Sequence, residues 1–318
     1  MRPLPKQAVT AAVGAGAAYA GYYGVLLGES LVARRAIGMT DERPPRADGV
    51  YGDDLPGDPV RCLVLGDSAV VGYGMTSADD TPPALFGLGL THVLDRPVDV
   101  RSEAVVGAQT SDLREQVNRG LTHHPDVAVI VVGTNDVTHR VPAYVSTKLL
   151  GTTVRRLVGA GCEVVVGTCP DLGTVRPLPQ PLRLVARRRS RALAERQMKA
   201  VVAAGGRAVS LGDLLGPVFD EKHDLMFGAD RFHPSATGYA NMASVLVPSM
   251  AAAIRERERA VEVVDATEPR RDLMSLDEAA DRAGRHAGTE VSQQGRWAGV
   301  LRRQSLPRRM ARIRRISM

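Results

Sequence analysis

Residues 127–132 read Val-Ala-Val-Ile-Val-Val, with no polar side chain among them. A strand with one face in water alternates apolar and polar residues, whereas an unbroken apolar run needs cover on both faces, as in a parallel sheet lying between helices. Outward from this run the same texture recurs in VRCLVL (60–65), VDVRSEAV (98–105), CEVVVGTC (162–169) and RAVSLGDL (207–214). Amphipathic stretches separate or follow these runs: PPALFGLGLTHVLD, SDLREQVNRGL, YVSTKLLGTTVRRLVGAG, an Arg-rich helix from about Leu182 to Ala204, and SATGYANMASVLVPSMAAAIRER. The βαβα order predicts an α/β fold, a three-layer α/β/α sandwich around an open parallel sheet of about five strands. Ligands in such folds bind beyond the carboxyl ends of the strands.

The flanks differ in chemistry from this core. Residues 1–39 form a hydrophobic segment in which Arg2 and Lys6 precede an uncharged stretch from Gln7 to Gly28, long enough to span a bilayer as a helix. Its Ala and Gly content makes it weakly hydrophobic, and Ala18-Tyr19-Ala20 is a passable cleavage site, so three readings stand: retained anchor, signal peptide, and buried or interfacial helix. Residues 40–58 are rich in Pro, Gly and Asp and read as a linker. The folded domain is expected over 59–254, followed by a charged, largely disordered tail over 255–318. Arg296, Arg302, Arg303, Arg308, Arg309, Arg312, Arg314 and Arg315 contribute +8 to a chain total of +6, which leaves the rest of the chain at −2. Basicity is therefore a tail property; it suits anionic lipid and argues against a nucleic-acid partner for the body.

Apolar residues at 44% and charged residues at 24% exclude a polytopic membrane protein, a collagen-like chain and wholesale disorder. Aromatics at 4% leave the core to Val, Leu and Ala. Three cysteines (Cys62, Cys162, Cys169) are too few for a disulfide framework and lie in or beside apolar runs, as buried thiols do.

Four constellations stand at the ends of the strand runs. Gly66-Asp67-Ser68 follows the first; a serine there presents its hydroxyl to the crevice and its own N–H as an oxyanion donor, although Gly-Asp-Ser is also an ordinary turn. Val70 replaces the second Gly of a G-x-S-x-G elbow, which disfavours an ordinary α/β-hydrolase. Gly107 follows the second run and either lets the backbone approach a ligand closely or is a plain turn glycine. Gly133-Thr134-Asn135-Asp136 follows the third, and Asn135 supplies a neutral N–H donor or, alternatively, an Asx turn. Asp230-Arg231-Phe232-His233-Pro234 precedes the last helix. An Asp three residues before a His orients one imidazole nitrogen while the other faces a serine. No H-E-x-x-H or C-x-x-C metal pattern is present.

Taken in order, GDS at 66–68, Gly107, GTND at 133–136 and DRFHP at 230–234 resemble the four blocks of the SGNH (GDSL-type) hydrolases, over about Val60 to Ala253. The flanks further resemble an actinobacterial membrane-anchored or exported subgroup. The resemblance implies a flavodoxin-like fold and ester hydrolysis through an acyl-enzyme, with no metal or cofactor. It implies Ser68 as nucleophile, His233 as base and then acid, and Asp230 as its partner. The oxyanion hole is then the Ser68 N–H, the Gly107 N–H and the Asn135 amide, and Asp67, Asp136 and Phe232 contact substrate. Sparse aromatics and the lack of a long apolar insertion point to short acyl groups, and an envelope ester is a natural target for an exported enzyme. Lysophospholipase, thioesterase, O-acyltransferase and non-hydrolytic binding protein are the alternatives. A monomer is expected, at the membrane through the N-terminal segment and the Arg-rich tail, or exported; a cytoplasmic location is the alternative.

Overall fold

The computed structural model describes residues 6–37, 43–262 and 290–291. Its strands are β1 (Gly49–Tyr51), β2 (Val60–Gly66), β3 (Val98–Ser102), β4 (Val127–Val131), β5 (Glu163–Gly167), β6 (Arg207–Val209) and β7 (Glu290–Val291). Its α-helices are α1 (Lys6–Ala36), α2 (Ser68–Val71), α3 (Pro82–Leu94), α4 (Leu113–Gly120), α5 (Thr134–Thr138), α6 (Ala143–Gly159), α7 (Leu182–Ala203), α8 (Leu211–Leu214), α9 (Gly216–Glu221), α10 (His223–Met226) and α11 (Ala236–Glu262). They build one sheet in the order β1-β3-β2-β4-β5-β6-β7. The five strands from β3 to β6 are parallel; β1 and β7 close the two edges antiparallel.

The unbroken apolar run at 127–132 divides by parity between two cores, as burial on both faces requires. Val127, Val129 and Val131 join Cys62 and Val64 of β2 and pack with Phe86 and Leu90 of α3 and Leu246, Met250 and Ile254 of α11. Ala128, Ile130 and Val132 join Leu63 and Leu65 and pack with α4, α6 and α7 through Leu113, Leu150, Val154, Leu157, Met198 and Val201. Cys62, Cys162 and Cys169 are buried free thiols.

Two boundaries differ from expectation, while the last helix runs through Arg257 as its amphipathic stretch predicts. The run 207–214 is a strand only to Val209: the Ser210 carbonyl accepts the Leu214 N–H (3.1 Å) and the Ser210 hydroxyl donates to Asp213 Oδ2 (2.7 Å), which turns the chain into α8. The stretch 40–58 supplies the edge strand β1, whose Tyr51 hydroxyl donates to Ala47 O (2.8 Å) and whose ring covers Gly87 of α3. At the other end α11 continues past residue 254, held where Arg207 pairs with Glu256 (2.5 Å) and Arg257 donates to Asp126 O (3.1 Å). Apart from α11 and β7, the expected tail lies outside the described residues. Among the described residues no helix is long and apolar enough to cross a membrane.

The sheet order places the switch point between β2 and β4. From β2 the chain first crosses to β3 on one side and then to β4 on the other, so a crevice opens beyond their carboxyl ends. Gly66 and Val131 are register partners there, which sets the GDS and GTND segments side by side.

Candidate active site

Gly66 has φ +137°, and a Cβ on it would run into the Val131 carbonyl, so only glycine lets β2 turn this close to β4. The next residue, Asp67, accepts the Ala69 N–H on Oδ1 (3.0 Å) and so caps α2, whose first residue is Ser68. Ser68 is 8% exposed, enough to open its hydroxyl to the crevice.

The partner arrives from the loop before α11. His233 Nε2 stands 3.0 Å from Ser68 Oγ, and Nδ1 stands 2.6 Å from Asp230 Oδ2. Asp230 Oδ1 also accepts the N–H groups of Phe232 and His233 (2.9 Å each). Burial pushes the Asp230 carboxyl up, but the hydrogen bond from His233 and the two N–H bonds outweigh it and hold it below the ordinary carboxylate range. An ionised Asp230 fixes the tautomer: Nδ1 carries the proton and Nε2 is free to accept from the serine. The loop is stapled by Gly228 N–H to His233 O (2.8 Å), and Tyr73 packs its ring on the imidazole with centroids 4.3 Å apart.

Asn135 lies in the first turn of α5. Its Nδ2 donates to Ala108 O (3.0 Å) and lies 3.5 Å from Asp67 Oδ2. Ala108 follows Gly107, which is exposed, has φ +80° and faces open space. Asp67 and Phe232 border the cavity beside Ser68. Asp136 does not: it is 1% exposed, and its Oδ2 accepts the N–H and hydroxyl of Thr110 (3.1 Å each), so its carboxylate orders the loop instead of meeting substrate. Burial pushes Asp67 up to about 7; the Ala69 N–H opposes the shift and the Asp136 charge adds to it.

The cavity next to Ser68 and His233 measures about 80 Å³. Leu172 and Val175 form one side, Leu211, Leu215 and Phe219 another, and Phe227 and Phe232 sit near the histidine loop. His223, a residue near the site in sequence terms, is buried behind this lining with its ring on Phe227 (4.5 Å between centroids). Among the described residues no group of three or more His, Cys, Asp or Glu side chains is arranged to hold a metal ion.

Residues 64–240 match the model of the GDSL-like Lipase/Acylhydrolase family, more than half of the chain. The chain belongs to this family. It is similar to the GDSL-like esterase Rv1075c of Mycobacterium tuberculosis, at 39% identity over 272 residues that cover 80% of this chain and 86% of the relative. This GDSL-like protein is a carboxylic ester hydrolase. Solved structures similar to it include a lipase/acylhydrolase from Enterococcus faecalis (23% identity, 60% of this chain and 96% of that one, TM-score 0.48). A catalytic mutant of Axe2, an acetylxylan esterase from Geobacillus stearothermophilus, is another (18% identity, 62% and 96% covered, TM-score 0.47).

Two buried glutamines escaped the motif reading of this GDSL-like hydrolase. Gln116 of α4 brackets the Gly66 peptide, accepting its N–H (2.8 Å) and donating to its carbonyl (2.9 Å). Gln197 of α7 accepts the Cys169 N–H (2.7 Å) and donates to Val132 O (2.9 Å). Both satisfy buried backbone groups at strand ends, the Gly66 N–H and the Cys169 N–H among them. Helical spacing carries the signal: Gln116 falls three residues after Leu113, and Gln197 four after Leu193, on stripes that are otherwise apolar.

Proposed function

We propose that the protein is a serine esterase acting on short-chain acyl esters through an acyl-enzyme. The observation that carries the proposal is the relay from Ser68 Oγ to His233 Nε2 (3.0 Å) and from His233 Nδ1 to Asp230 Oδ2 (2.6 Å). Ser68 Oγ attacks the ester carbonyl and gives its proton to His233. The carbonyl oxygen becomes an oxyanion, received by the N–H groups of Ser68 and Gly107 and by the Asn135 amide. The imidazolium, stabilised by Asp230, protonates the departing alcohol as the C–O bond breaks. Water then repeats the sequence: His233 takes its proton, the hydroxyl adds to the acyl-serine, and Ser68 leaves with the proton returned.

The short-chain preference rests on the cavity. It measures about 80 Å³ and is lined largely by apolar side chains. A small apolar cavity beside the nucleophile favours short acyl groups over long ones. The test compares p-nitrophenyl acetate, butyrate and palmitate hydrolysis by the full chain and by its Ser68→Ala variant. Turnover of the shorter esters that vanishes in the variant supports the proposal. Palmitate as the best substrate would turn the reading to a lysophospholipase or thioesterase, and no turnover by folded protein would turn it to acyl transfer or binding. The proposal also places the enzyme at a membrane through α1.

A further inference from the structure

The apolar pocket has two walls that come from separate parts of the chain. One is the segment after β5, with Leu172 and Val175; the other runs through α8 and α9, with Leu211, Leu215 and Phe219. The first wall also brings Asp171 and Thr174 to the cavity, whereas the second is apolar where it lines it.

Arg191 of α7 reaches both. Its Nε pairs with Asp171 Oδ2 at 2.9 Å, and its Nη2 lies 3.9 Å from Asp213 Oδ1. Asp171 is 2% exposed at the root of the first wall; it also receives Arg187 Nε (3.4 Å) and caps the turn after it through the Gly173 N–H (2.8 Å). Asp213 lies in α8, within the second wall, and is fixed by the Ser210 hydroxyl. A second tie crosses the same gap: Arg176, from the first wall, donates Nη2 to Asp220 O of α9 at 2.8 Å, next to Phe219. The first wall is also held to α7, where Ser190 Oγ accepts the Leu172 N–H (3.1 Å) and the Arg187 stem lies so close to Gly173 that no Cβ fits between them. A rigid, planar guanidinium holds two carboxylates at a set distance better than a flexible ammonium does.

We propose that Arg191 and Arg176 are specificity-determining positioning residues, which set the acyl-chain length this enzyme accepts by fixing the spacing of the two pocket walls. The inference rests on the esterase reading above and deepens it. Neither side chain borders the cavity, and neither bonds to Ser68, His233 or Asp230. Their effect therefore falls on the far end of the acyl group and not on proton transfer. Both are largely in solvent, so replacing them leaves the buried core intact.

The experiment measures kcat/KM of the full chain for p-nitrophenyl esters from acetate to decanoate, with Arg191→Met, Arg191→Lys and Arg176→Gln beside it. The ratio of butyrate to decanoate is the readout. It is expected to fall at least about threefold in Arg191→Met and in Arg176→Gln, through KM for the longer ester, because a single methylene in a fitted pocket already discriminates about tenfold or more. Arg191→Lys keeps the charge and is expected to recover part of the ratio. Equal losses at every chain length, or an unchanged ratio, overturn the inference. Failure of the esterase reading itself shows differently, as full-chain turnover no greater than that of Ser68→Ala. Calorimetric binding of decanoate to Ser68→Ala, with and without Arg191→Met, then decides the wall inference without turnover: tighter binding upholds it and equal binding overturns it.

Discussion

Asn135 has two amide hydrogens and one firm partner. The bond to Ala108 O at 3.0 Å fixes the side chain, while Asp67 Oδ2 at 3.5 Å is far enough to yield the second hydrogen to an oxyanion. Asn135→Ala is expected to lower kcat by about 10²–10³ with KM little changed, since the lost bond matters most in the transition state. Steady-state kinetics on the preferred ester checks this, and an equal loss in both parameters would place Asn135 in ground-state binding instead. The neighbouring Asp67 makes a prediction about stability. A carboxyl raised from 3.8 to about 7 binds its proton more tightly folded than unfolded. Its contribution is thus complete below the unfolded value and declines as pH rises to the folded one. Asp67→Asn is neutral throughout, so the Tm of the wild type relative to this variant is expected to fall between pH 4 and pH 7 and level off above. A difference that stays constant over that range would mean that folding does not raise the Asp67 carboxyl. Asp230 has the opposite sign: its carboxyl is held below the ordinary range, so its contribution is present at neutral pH and is lost in acid as pH falls through the folded value.

At the scale of elements, α4 and α7 do more than cover the sheet. Gln116 supplies the acceptor for the Gly66 N–H, and Gln116→Leu leaves that buried donor unsatisfied, while the Gly66 carbonyl keeps the Val105 N–H (3.1 Å). The expected cost is about 1–3 kcal/mol by urea denaturation, with a loss of activity because Ser68 lies two residues on. A cost under about 0.5 kcal/mol would show that water enters and takes over the bond from the Gly66 N–H. The parallel strands were legible because each run must feed two cores, and parity within VAVIVV shows it directly. The site was legible where a motif's residue types carry the chemistry, as in Gly66-Asp67-Ser68 and Asp230 to His233. Elsewhere local reading had too little to work on. β1 is three residues long and draws its place from Tyr51 against Gly87, a contact across 36 positions. Asp136 shared a motif with Asn135 yet turned inward, because its partner Thr110 comes from another loop. The pocket ties pair Arg191 with Asp171 across 20 positions, and nothing in the Arg-rich pattern of α7 singles out that arginine.

The whole molecule joins a slightly acidic body to two appendages of different character. Helix α1 meets the body through Glu29, whose carboxylate accepts the Leu182 N–H (2.8 Å), and through buried Leu26. Val25, Leu27, Leu31 and Val32 of the same helix remain exposed, each more than half accessible. An exposed apolar helix face partitions into the interfacial region of a bilayer without spanning it, and its attachment is insensitive to salt because it rests on buried area. If the eight arginines from Arg296 to Arg315 attach the chain to anionic lipid instead, they act by charge, and that attraction is screened within about 3 Å at 1 M salt. Co-sedimentation of the full chain with vesicles of phosphatidylcholine and phosphatidylserine separates the two. If α1 attaches the enzyme, a fraction of the bound protein survives 1 M NaCl, and that fraction is lost on replacing Val25, Leu27, Leu31 and Val32 with Ser. Binding that disappears entirely in salt, and is unaffected by those replacements, would assign all membrane affinity to the arginines and remove α1 from that role.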